Sequence, residues 1–154
     1  MGAHYRNCRA NGAKVTQPLE PKKERLPACA PEGQEQATLF NWADAQARMG
    51  IYPELALMFH IPNGGKRSKA EAGRFKAEGV KAGVPDICLP VPRGKFHGLY
   101  IEMKKLKGST VSREQKEWGA QLARQGYCWK VCHGWEEARD VLTEYLGERE
   151  YEFV

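Results

Sequence analysis

The chain has 154 residues, enough to bury one core, and 24 Lys+Arg against 19 Asp+Glu leave it a net charge of +5. That excess suits a polyanionic partner. No apolar run approaches the roughly eighteen residues of a membrane span and no signal-peptide pattern opens the chain, so the sequence reads as a cytoplasmic protein with no membrane partner.

Residues 1–30 carry Gly, Pro, Asn and Lys/Arg with almost no apolar periodicity, and read as a flexible basic N-terminal arm. From Glu32 the pattern changes. Gln36, Leu39, Phe40, Ala43 and Ala47 recur at helical spacing and predict a helix over 32–49 that ends at Gly50. Leu55–Ile61 reads as a strand closed by the turn Pro62-Asn63-Gly64-Gly65. Residues 68–79 suggest a short helix capped by Ser68, with Glu71 completing a capping box. Asp86–Val91 and Leu99–Lys105 read as strands joined by a turn over Pro92–Gly98. Ser112 to Gln125 is a helix stopped by Gly126, Tyr127–Cys132 a fourth strand, and Trp135–Leu146 a closing helix before a short tail, 148–154. The predicted order is α-β-(α)-β-β-α-β-α.

The chemistry concentrates at two strand edges. Pro85-Asp86 precedes Glu102-Met103-Lys104 by one strand. Residues i and i+2 of a strand point to one face, so Glu102 and Lys104 project together while Met103 turns away. If Asp86 ends the neighbouring antiparallel strand, two carboxylates and an ammonium converge. Two carboxylates are what a Mg²⁺ takes from protein when phosphate oxygens and water complete its shell. The constellation reads as a metal-dependent phosphodiesterase site; without its context it would be a solvated Glu–Lys pair at a strand end. Cys8, Cys29, Cys88, Cys128 and Cys132 show no Cys-x2-Cys spacing, and the last two sit four apart on a strand; they read as buried reduced thiols rather than a zinc site.

With Gly83-Val84-Pro85-Asp86 and Ile101-Glu102-Met103-Lys104 on the second and third strands, the chain resembles the PD-(D/E)xK nuclease superfamily. More closely it resembles the VRR-NUC branch, small stand-alone modules common in phages and prophages. Glu32-x3-Gln36, Pro53-Glu54-Leu55, His60-Ile61-Pro62-Asn63-Gly64-Gly65, the stretch Gly79 to Asp86, and Val111-Ser112-x2-Gln115 match together over residues 31–147. The resemblance implies an α/β fold with a restriction-endonuclease-like core (α-β-β-β-α-β), a mixed central sheet flanked by helices. It also implies cleavage of DNA with Mg²⁺ or Mn²⁺, in several members at branched structures such as Holliday junctions or flaps, in a bacterial or phage-infected cell. Carried over, Asp86 and Glu102 are metal-binding carboxylates, the Met103 carbonyl is a further ligand, and Lys104 positions or activates the attacking water. Glu32, with Gln36 one turn on, is the first-helix acid, and Glu35 is the competing assignment. Helical spacing favours Glu32, which shares a face with Gln36, Leu39, Phe40 and Ala43.

Around that centre, Gln115 is placed to hydrogen-bond Lys104 or a phosphate, and His60 and Asn63 to touch DNA. Lys66, Arg67, Lys69, Arg74, Lys76 and Lys81, continued by Lys105 and Lys107, form a basic surface for the phosphate backbone. Away from a metal site the same residues would read as a solvated helix face. A homodimer matches the two related strands of a branched duplex, and Phe75 is a candidate contact. A restriction-like or exonucleolytic enzyme is the alternative within nucleases. An inactive DNA-binding module is the alternative outside them, and the intact Asp86, Glu102 and Lys104 argue against it.

Overall fold

The computed structural model describes residues 32–62 and 69–147, apart from the side chains of Lys69, Ala70 and Ala72. The basic arm, the tail 148–154, Cys8, Cys29, Asn63, Lys66, Arg67 and the Ser68 cap lie outside the described residues.

Helix α1 spans Glu32–Arg48. The expected strand Leu55–Ile61 is corrected: Pro53–Leu57 is a 3-10 helix, and strand β1 is only Phe59–His60. Pro53, with φ fixed near the helical value, starts that turn. The Leu55 amide bonds the Tyr52 carbonyl at 3.1 Å and the Met58 amide bonds the Leu55 carbonyl at 3.0 Å, so the apolar run is spent on a turn that buries Leu55. Helix α2 is Lys69–Ala77, strand β2 Ile87–Leu89 and strand β3 Leu99–Lys104. Helix α3 (Arg113–Arg124), strand β4 (Cys128–His133) and helix α4 (Gly134–Gly147) complete the order.

The four strands form one mixed sheet in the order β1-β2-β3-β4. The first three pair antiparallel, and β4 lies parallel to β3 across the α3 crossover. Alternation along β3 divides the molecule into two layers. Leu99, Ile101 and Met103 point into a dry core with Leu39 and Ala43 of α1 and Ala138, Leu142 and Leu146 of α4. Each such aliphatic side chain contributes about 1.5–3 kcal/mol by leaving water. Tyr100, Glu102 and Lys104 point to the opposite face, where α3 lies. There Gly119 meets the Trp129 indole so closely that a Cβ would stand 2.3 Å from the ring. The contact seats α3 on β4 and so fixes the helix start above Glu102.

The core is tied off at the other end of α4. The Tyr145 hydroxyl donates to the Val91 carbonyl at 2.6 Å. Buried Arg93 donates to the Pro92 carbonyl at 2.9 Å and forms an ion pair with Glu54 of the 3-10 helix. Cys88, Cys128 and Cys132 are buried free thiols, as expected, and burial pushes Cys132 up to about 12.

Candidate active site

Asp86 lies one residue before β2. The register Ile87↔Ile101, continued by one pair, sets it directly opposite Glu102. Its carboxylate Oδ2 accepts the Met103 amide at 2.9 Å, which substitutes for a ladder bond where the strand ends. Its own carbonyl accepts the Ile61 amide at 2.7 Å and is within 2.9 Å of His60 Nδ1, so the end of β1 is bound to the same point.

Glu102 is 1% exposed. Its Oε1 accepts the Lys104 ammonium at 2.9 Å and also the Gln115 side-chain amide. Its Oε2 is buried without a hydrogen-bond partner. Burial pushes this carboxyl up to about 7, and the Asp86 charge adds to the effect against the pull of the Lys104 ammonium. A buried carboxylate oxygen with no donor is costly unless something charged completes it.

Gln115 is held for its task at the start of α3. Ser112 Oγ accepts the Gln115 amide at 3.2 Å and Gln115 Oε1 accepts the Ser112 amide at 2.8 Å, a full capping box. With its oxygen committed to the cap, the side chain presents only N–H to Glu102. Sequence pointed Gln115 at Lys104 or a phosphate; the structure sets it on the carboxylate that pairs with Lys104. The segment before Asp86 docks on the same helix turn. Gly83, at φ +81°, lies where a Cβ would stand 2.8 Å from Glu114, and Trp118 Nε1 donates to the Ala82 carbonyl at 3.0 Å. Those two contacts were not foreseen, although a left-handed glycine three residues before an acid is a readable signal.

Helical spacing set Glu32 on the buried face of α1, and in the structure Glu35 is the more buried of the two. The buried line of α1 is Glu35, Leu39 and Ala43, and Glu32 is half-buried. Glu35, 6% exposed, accepts the Trp135 amide at 2.9 Å on Oε2, capping the N-terminus of α4 across the fold. Apolar spacing could not reveal this, because the partner is a main-chain amide a hundred residues on. Gln36 is half-buried beside Glu32. Among the described residues no group of three or more His, Cys, Asp and Glu gathers to hold a metal. The groups brought together that could bind a metal are therefore the Asp86 and Glu102 carboxylates. That set fits Mg²⁺ or Mn²⁺, which take one or two carboxylates and complete their shells with water and phosphate. The partnerless Oε2 of Glu102 is the position such a cation would satisfy.

The basic residues are spread over the surface. Arg74 of α2 is exposed, pairs with Glu78 at 3.5 Å and lies over the half-buried Phe75 ring. Lys76, Lys81, Lys105 and Lys107 are exposed, and Lys69 opens α2.

The VRR-NUC domain model matches residues 30–136 of the chain. A solved structure described as a VRR_NUC domain protein is similar to it, with 31% identity over 81% of this chain and 95% of that one, at a TM-score of 0.67. A comparison with curated proteins found no match. The chain belongs to the VRR-NUC domain family, and its core has the PD-(D/E)xK architecture. It is thus a nuclease, with DNA as its substrate class.

Proposed function

We propose that this protein is a divalent-metal-dependent DNA endonuclease whose centre is Asp86, Glu102 and Lys104. The observation that carries the reading is the Asp86–Glu102 pair across β2 and β3, with one Glu102 oxygen buried and partnerless beside a buried ammonium. Asp86, Glu102 and the Met103 carbonyl would hold Mg²⁺ or Mn²⁺, with Glu32 as the first-helix acid and Glu35 as its alternative. When bound, the metal supplies Lewis-acid polarisation of the scissile phosphate and a more acidic water. Lys104, 7% exposed, keeps its ammonium beside the developing phosphoryl charge or orients the attacking water. Gln115 fixes Glu102 so that its second oxygen faces the metal position. His60, anchored on the Asp86 carbonyl, and the exposed lysines and Arg74 with Lys66, Arg67 and Asn63 would contact the DNA backbone.

The substrate reading is branched DNA, Holliday junctions or flaps, cut by a homodimer in the cytoplasm of a bacterial or phage-infected cell. Family membership supports it, and among the described residues no helix is long and apolar enough to cross a membrane. The test is incubation of pure protein with linear, flapped and four-way DNA, with and without Mn²⁺, beside light scattering. Metal-dependent cutting of two opposed junction strands by a particle of twice 17.4 kDa is the expected result. A monomer that nicks flaps and leaves junctions whole would replace the dimer with an end-processing nuclease.

A further inference from the structure

Phe59 is the one Phe, Tyr or Trp among the described residues that is exposed; every other is buried or half-buried. The residue is 48% exposed. It also sits in a defined place. Phe59 pairs with Cys88, and Cys88 pairs with Tyr100. Directly opposed residues share a face, as do residues two apart on one strand. Cys88 is two residues from Asp86, and Tyr100 two from Glu102. Phe59 is therefore on the catalytic face, one row from the carboxylates, about 7 Å along the strands.

The row is rigid where it matters. His60, next to Phe59, has Nδ1 within 2.9 Å of the Asp86 carbonyl, and the Ile61 amide bonds the same oxygen at 2.7 Å. Phe59 is thus held by the strand that anchors the site. A polyanion laid on Asp86, Glu102 and Lys104 offers this surface only one apolar group, the face of a base. Adding about 4.8 Å for each strand between Phe59 and the carboxylates gives a separation of about 8 to 12 Å, which at about 3.4 Å of rise per nucleotide places that base within about four nucleotides of the scissile phosphate.

We propose that Phe59 is a stacking platform for an unpaired nucleobase flanking the cleaved bond, a positioning and specificity residue. The proposal rests on the nuclease reading of the Asp86–Glu102 site. A base in intact duplex is already stacked and must be pulled out, whereas a base at a flap or branch is available. The platform thus favours branched DNA at the chemical step, without reading sequence.

The test scans a single abasic residue across about four nucleotides on each side of the cleaved bond in a flapped duplex, with Mn²⁺. Wild type, Phe59→Ala, Phe59→Leu and Phe59→Trp are compared for kcat and KM, with circular dichroism and melting to show that each variant is folded. One abasic position should slow wild type and Phe59→Trp about tenfold. Phe59→Ala and Phe59→Leu should be slow on intact DNA by a similar factor and lose nothing more at that position. A Leu variant at wild-type rate would overturn the proposal, as would a further equal loss at that abasic position in both the Ala and Leu proteins. Failure of wild type to cut any DNA would instead remove the nuclease reading beneath it.

Discussion

Glu35 and Glu102 are both almost wholly buried, at 6% and 1% exposure, and both lie at the same end of the sheet. Their surroundings differ. Glu35 receives the Trp135 amide at the N-terminus of α4, where the helix dipole also favours its charge. Glu102 has an ammonium and an amide crowded onto one oxygen and no hydrogen-bond donor on the other, with the Asp86 carboxyl close by. One carboxylate is completed by the fold; the other is left for something the fold does not supply. Burial therefore does not separate the two acids, whereas hydrogen-bond partners do: Glu35 is met by a helix amide, and Glu102 keeps one oxygen without a donor.

The sharpest way to break this comparison is at the metal position. Asp86→Asn and Glu102→Gln should each lower cleavage by at least about 100-fold while DNA binding stays within a few-fold, read by gel-based cleavage and fluorescence anisotropy. Metal-dependent activity near the wild-type rate in either variant would reject the site. At the structural glutamate the expectation is reversed. Glu35→Ala should cost about 2 kcal/mol in urea denaturation, because a buried amide loses its acceptor and α4 its cap. Glu32→Ala should lower activity with little change in stability. The opposite pattern would exchange the two acids.

Much of this centre was legible before any coordinates. Strand alternation alone put Glu102 and Lys104 on one face and Met103 on the other, and the order of elements carried the fold. What sequence could not supply were contacts made across long separations. Spacing alone cannot show the Trp135 amide that meets Glu35, nor the register with Cys88 that sets Phe59 on the face of Glu102. The first strand was misread for a local reason: Pro53 spends its apolar run on a turn. Asp86, Glu102 and Lys104 lie on neighbouring strands close in sequence, so spacing was enough to bring them to one point.

A finer test concerns what holds Glu102 in its lopsided state. Gln115→Ala removes the side-chain amide but leaves Ser112 to cap α3. With Glu102 freer to rotate, kcat should fall about tenfold while KM changes little, since the orientation of a ligand is lost and not the DNA surface. Equal loss in kcat and in melting temperature would mean that Gln115 serves only the helix.

The smallest expected effect tests the partnerless oxygen directly, without catalysis. Glu102 titrates near 7 in the folded protein against an ordinary 4.5, so the folded state holds this proton more tightly than the unfolded chain does. The sign follows from linkage: the group's contribution to stability is full below about 4.5 and is lost as pH rises through about 7. Metal-free protein should therefore be less stable at pH 8 than at pH 6 by about 1 kcal/mol from this carboxyl, read by urea denaturation. Glu102→Gln should remove that slope. Mg²⁺ or Mn²⁺ should oppose it, because a cation needs the deprotonated carboxylate and stabilises the fold more at pH 8 than at pH 6. If Glu102→Gln kept the wild-type slope instead, the slope would belong to another group and this reading of Glu102 would be wrong.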